Sequence, residues 1–150
     1  MKFERFIKQI DVNYKQKISA ANLPKKVLDK LDSTLSKDIT TVRGLDFYHI
    51  VASVSQDFDN DTANAFEEYF KKKKFKDDAE ATDIDNKYKA FIKQFIVLQQ
   101  DVAQGAKIED IRLSRILNRE ISDFLAWEVY AIAVSRSKKI KTAFEQLYKE

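Results

Sequence analysis

The chain has 150 residues, 44% hydrophobic and 34% charged, with a net charge of +3, which fits one domain with a real core and a surface of interspersed charge. Two glycines and one proline exclude architectures built from many tight turns and leave an all-α fold. The lack of cysteine excludes a disulfide framework, a thiolate nucleophile and a Cys-type zinc site, and a single histidine excludes a His-rich metal centre.

In chain order, Lys2, Glu4, Arg5 and Lys8 interrupt the first ten residues, so no signal-peptide core is expected there. Nowhere does the sequence hold the run of about 18 apolar residues that a membrane span needs. A cytoplasmic protein without membrane contact is the expectation. Phe3, Phe6, Ile7 and Ile10 recur at helical spacing and predict an amphipathic helix whose stripe continues to Ile18. Asn22 and Pro24 form a start signal, Asn as cap and Pro in the first turn, for a second helix carrying Leu28, Leu31, Leu35 and Ile39. Gly44 marks a break before a third helix with Leu45, Tyr48, Val51, Ala52 and Ser55 on one face. Asp61 or Thr62 is the expected cap of a fourth, which carries Phe66, Tyr69 and Phe70. Asp77, Asp78, Glu80, Asp83 and Asp85 mark an acidic linker over 77–86. Beyond it, helical stripes run through Tyr88 to Val102, Ile108 to Leu125, Trp127 to Val134, and Ile140, Phe144 and Leu147. Ala126 stands where the earlier segment has Gly44, so these middle helices are expected to run on as one.

Sliding the sequence against itself brings residues 31–53 onto 113–135 without a gap. Leu31, Leu35, Ile39, Tyr48, Ile50 and Ser53 meet identical residues. The polar matches carry more weight, because burial does not dictate charge order: Ser36, Lys37, Asp38 and Thr40 face Asn118, Arg119, Glu120 and Ser122, and Asp46 faces Glu128. Phe6 to Gln9 recurs at Phe91 to Gln94, and Ala65-Phe66-Glu67 at Ala143-Phe144-Glu145. The expected architecture is therefore one compact domain over 1–150, an all-α bundle of about seven to eight short helices. Its two quasi-equivalent halves, 3–76 and 87–150, arise from an internal duplication.

Three constellations carry chemical expectations. Asp57, Asp59, Asp61 and Glu68 occupy positions 1, 3, 5 and 12 of an EF-hand-like calcium loop, although Thr62 stands where the sharp turn wants glycine. The bland alternative is an acidic connector whose Asp61 caps a helix. Lys71, Lys72, Lys73, Lys74 and Lys76 around Phe75 form one basic cluster, and Arg136, Lys138, Lys139 and Lys141 a second. Clustered ammonium groups attract nucleic acid by releasing its counterions, and they suit an acidic partner equally well. Arg43 and His49 are spaced as in the Arg-x(4-6)-His element, and this pair resembles the HEPN family of small helical ribonucleases. That resemblance implies a metal-independent cleavage of RNA, with His and Arg meeting across a dimer to promote attack by a 2′-hydroxyl.

No phosphate-cradling glycine loop, nucleophile elbow or Glu-x-x-His pair is present in the sequence. The expectation is a non-catalytic helical binding protein without cofactor, acting on another protein as inhibitor, immunity factor, accessory subunit or adaptor. A nucleic-acid-binding accessory protein and a HEPN-like ribonuclease are the alternatives, and a homodimer is compatible with all three.

Overall fold

The first amphipathic stripe is realised in two pieces. Asp11 adopts an extended backbone, its carboxylate accepts the Asn13 N–H at 2.8 Å, and Lys17 pairs with it from the next turn. This local competition for the backbone ends the helix at Ile10 and restarts it at Tyr14. The structure, a computed structural model, describes residues 1–72, 106–108, 112, 115–116 and 123–149. Its helices are α1 (Phe3–Ile10), α2 (Tyr14–Ala20), α3 (Lys25–Leu28), α4 (Leu31–Leu35), α5 (Gly44–Val54), α6 (Phe58–Lys72), α7 (Ala126–Ser135) and α8 (Ile140–Tyr148), with a 3-10 turn at Ile39–Thr41. Among the described residues the fold is a compact all-α bundle with no strand, only isolated antiparallel bridges between Lys2 and Asp38 and between Arg43 and Leu125. None of these helices is long and apolar enough to cross a membrane.

Several expected boundaries move, some for a local reason and one through a long-range pairing. Asn22 has φ 54° and ends α2 in the left-handed region, which asparagine tolerates, instead of capping the next helix. Pro24 sits just before α3, with an extended ψ of 144°. The helix expected through Leu28 and Ile39 is split into α3, α4 and the 3-10 turn. Phe3 N–H donates to the Lys37 carbonyl and Ile39 N–H to the Met1 carbonyl, both at 2.9 Å, and this pairing draws residues 37–39 out of helical geometry. The fourth helix starts a turn earlier than expected: Asn60 N–H donates to the Asp57 carboxylate at 3.2 Å, so Asp57 is the cap. The linker 77–86 and the stripe over 88–102 lie outside the described residues.

Helix α5 lies at the centre, packed against α1, α2 and α3 and also against α7 and α8. Phe47, fully buried on it, is ringed by Phe3 and Phe6 of α1, Phe58 and Phe66 of α6, and Phe144 of α8, with centroids 5.3 to 6.2 Å away. Aromatic pairs at such separations add about 0.5–1.5 kcal/mol each beyond the area they bury. The phenylalanines of the sequence stripes thus converge on one ring.

The starts of α5 and α7 meet in a reciprocal pairing. Gly44 N–H donates to the Phe124 carbonyl at 2.7 Å, and Ala126 N–H donates to the Val42 carbonyl at 2.8 Å. Arg43 and Leu125, between them, are both extended. Ala126 therefore begins a helix as Gly44 does, and the expected run-on helix does not form. The sequence offset persists onward, since α6 and α8 begin at Phe58 and Ile140 and Lys141 N–H donates to the Asp59 carboxylate 82 positions away at 2.7 Å. That register sets Phe66 level with Tyr148, whereas the Ala65-Phe66-Glu67 match would set it level with Phe144. Gly44 has a negative φ; what it supplies is space, because a Cβ there would lie 2.0 Å from the Tyr148 hydroxyl.

Two outcomes follow for stability. Gly44→Ala should lower the unfolding free energy by about 1–3 kcal/mol through overpacking, read as a fall in Tm. Hydrogen bonding from the Thr40 N–H and hydroxyl holds the Asp38 carboxyl below its usual range, and the Lys17 and Asn13 hydrogen bonds do the same for Asp11. Since both folded values lie below the unfolded one of about 3.9, this stabilisation is present above about pH 4 and is lost as pH falls through the folded values. Thermal melts over an acid series should show that loss, and Asp38→Asn should reduce it.

Candidate functional site

Buried carboxylates organise the junction between α5 and α7. Asp46 and Glu128, each in the first turn of its helix, are 1% and 0% exposed. A carboxylate there complements the unpaired N–H groups and positive end of the helix. Glu128 accepts the Leu125 N–H at 2.7 Å and is gripped by Arg112 in a two-point pair, Nη2 to Oε1 at 2.7 Å and Nε to Oε2. Asp46 is held by Arg43 through Nε at 3.0 Å. Asp123 ties the start of α5 to α8: it accepts the Leu45 N–H at 3.0 Å, the Phe124 N–H at 2.8 Å and the Tyr148 hydroxyl at 2.7 Å. Burial alone would pull the Arg112 pKa down, but its hydrogen bonds to Glu128 and the charges of Glu128 and Asp123 push it above the usual value.

Beside this junction lies a cleft of about 360 Å³, whose walls include Thr40, Tyr69, Lys107, Arg112, Trp127 and Glu128. Tyr69 and Trp127 meet edge to face at 5.4 Å. Lys107, at φ 60°, stands 4.6 Å over the Phe70 ring and donates from Nζ to the Phe70 carbonyl at 2.9 Å. Volume and lining fit the usual make-up of a ligand cleft, apolar and aromatic walls with a few convergent polar groups.

The residues singled out from the sequence fall elsewhere. Asp57 caps α6, while Asp59, Asp61 and Glu68 lie on it. Helical rise separates Asp57 from Glu68 by about 16 Å, so the calcium spacing is carried by a helix and the carboxylates do not converge. Among the described residues no group of three or more His, Asp or Glu side chains could hold a metal ion. Arg43 precedes α5 and is engaged with Asp46, and half-buried His49 stands about 9 Å further along the axis with its ring against Tyr48. Within one chain the two do not face a common point. Lys71 and Lys72 end α6 on the surface, Lys71 paired with Glu67 at 3.0 Å. Lys73, Lys74, Phe75 and Lys76 lie outside the described residues. Arg136, Lys138 and Lys139 occupy the turn before α8 and Lys141 its first turn, and Lys139 and Lys141 share a surface cleft with Asp57, Asp59 and Glu145. Those acids dilute the field of the second basic cluster.

Lys107, Arg112, Trp127 and Glu128 were not singled out as site residues from the sequence. One signal was available: Glu128 is a lone carboxylate inside the apolar run from Phe124 to Val134, and such a residue is buried with a partner. Arg112 could not be paired with it by spacing alone. Comparison with family models, curated proteins and solved structures gives no match, so the geometry carries the functional reading.

Glu128→Ala should cost about 3–5 kcal/mol, because it strands the half-buried Arg112 and frees the α7 start. Chemical denaturation measures this directly. Calcium at millimolar excess should leave Tm unchanged; a rise abolished by Glu68→Gln is the contrary result.

Proposed function

We propose that the chain is a non-catalytic helical binding protein that docks on another protein, as an inhibitor, immunity factor, accessory subunit or adaptor. The observation that carries this reading is how its buried charge is used. Arg43 holds Asp46, Arg112 holds Glu128, and Asp123 ties together Leu45, Phe124 and Tyr148. These groups fix helix ends against one another, and Arg43, half of the ribonuclease-like pair, is one of them. Surface is then the working part. Val12, in the turn between α1 and α2, and Leu28, at the end of α3, are 74% and 45% exposed, and Lys15, Lys25 and Lys26 near them in sequence are exposed too; apolar anchors with a polar surround are the usual anatomy of a docking face.

The origin by duplication belongs to the same reading. Its support is the reciprocal Gly44–Phe124 and Ala126–Val42 pairing and the shared offset of the helix starts. A fused pair of modules offers a pseudo-symmetric face to a partner, in the cytoplasm on this reading.

Capture with the tagged full chain from its native host should recover one stoichiometric protein. Combined Val12→Glu and Leu28→Glu should abolish recovery while the circular dichroism stays unchanged, since exposed positions tolerate substitution within about 0.5 kcal/mol. Recovery of nucleic acid alone, weakened by Gln at Lys71, Lys72, Lys138 and Lys139, would transfer the function to the basic clusters. Cleavage of RNA lost in His49→Ala would instead make the chain a ribonuclease.

A further inference from the structure

We infer that the partner docking at Val12 and Leu28 presents an acidic protein surface, recognised by the lysines near those two anchors; this rests on the docking reading. The first 37 residues, all of them described, hold nine Lys and Arg against four acids, Glu4, Asp11, Asp29 and Asp32. Nine against four leaves +5, and since the whole chain is +3, everything beyond residue 37 nets −2. Wherever those later residues lie, their sum cannot cancel the positive segment. Charge asymmetry of this kind within one chain points to an anionic partner. Two of the four acids are already engaged: Lys17 pairs with Asp11, and Glu4 accepts the Tyr14 hydroxyl at 2.9 Å. Lys8, Lys15, Lys25, Lys26 and Lys30 are exposed and form no ion pair among the described residues. Chain connectivity ties them to the anchors. Four residues span at most about 14 Å, and Lys8 and Lys15 lie within four residues of Val12, as Lys25, Lys26 and Lys30 do of Leu28.

The make-up of the segment decides between anionic partners. Phe3, Phe6 and Tyr14, its only aromatic residues, are buried, so it offers no ring on which a base could stack. Asp29 and Asp32 are exposed and alternate in the chain with Leu28 and Lys30. A uniformly negative phosphate backbone or lipid surface repels them, whereas a protein surface can set a cation of its own opposite each one. Apolar side chains among charges of mixed sign match a protein interface, apolar at its centre and polar at its rim. Rim charges act mainly on the rate of encounter, and salt screens them.

Fluorescein-labelled poly-L-glutamate probes the charge preference, and capture with the tagged full chain probes docking. The polymer should bind at about 50 mM salt and weaken steeply towards about 500 mM. Gln at Lys8, Lys15, Lys25, Lys26 and Lys30 together should weaken it by about tenfold or more, with the helical circular dichroism retained, while Gln at Lys71, Lys72, Lys138 and Lys139 should change it by less than about twofold. The same five substitutions, and the higher salt, should each cut recovery of the captured protein by about tenfold. No binding of poly-L-glutamate, binding indifferent to the five lysines, or an equal loss from the second set overturns the inference. Duplex DNA or phosphatidylserine vesicles bound where the polymer is not would reassign the segment to a nucleic acid or a lipid surface. A protein captured through Val12 and Leu28 whose recovery ignores both salt and the five lysines overturns the inference and leaves the docking reading standing. If no protein is captured through Val12 and Leu28, the docking reading falls; polymer binding through the five lysines then still assigns them to an acidic chain.

Discussion

The two reciprocal backbone hydrogen bonds between Val42-Gly44 and Phe124-Ala126 set the constraint around which the other elements are arranged. A pairing of that length has no stability of its own. It persists because the helices leaving it, α5 and α7, pack along each other and because Asp46, Glu128 and Asp123 satisfy the polar groups the junction buries. Carboxylates in the first turn of a helix also meet its positive end, so each one serves local and long-range order together. The tight approach explains Gly44: Tyr148, hydrogen-bonded to Asp123, leaves no room there for a methyl group.

Around that junction the hydrophobic core is organised by Phe47, whose ring meets rings from α1, α6 and α8. One side chain thereby couples the N-terminal helices to the C-terminal hairpin, which the pairing alone does not reach. The polar junction fixes register, and the aromatic cluster sits within a larger apolar core that includes Ile7, Ile50, Val51, Val129 and Ile132. Division of labour of this kind gives a helical protein with short elements a single arrangement, since every described helix but α6 runs only four to eleven residues and has little intrinsic stability.

The same junction shapes the chemistry of the surface. Glu128 holds the start of α7 and orients Arg112 on the cleft wall. Trp127 and Leu125, its chain neighbours on either side of Ala126, line the same cleft. Preorganised donors lose little freedom on binding, which is what makes a small polar cleft selective. By contrast three of the four exposed large apolar residues among those described, Met1, Val12 and Leu28, belong to the first 28 residues, and the fourth is Val134 on α7.

Composition and periodicity were enough for the all-α class and for the apolar stripes, because they record which face of each helix is buried. Phe3, Phe6, Phe66 and Phe144 were legible in this way. Tertiary structure decided where helices stop. Gly44 and Ala126 took roles that depend on a distant segment of chain or on a neighbouring hydroxyl, and local propensity cannot register such partners. It also decided what the charges do: the Asp57 to Glu68 spacing became a capped helix, and Arg43 turned to Asp46. Arg112 met Glu128 because the fold, and no motif, carried a guanidinium to a buried carboxylate that had to be neutralised.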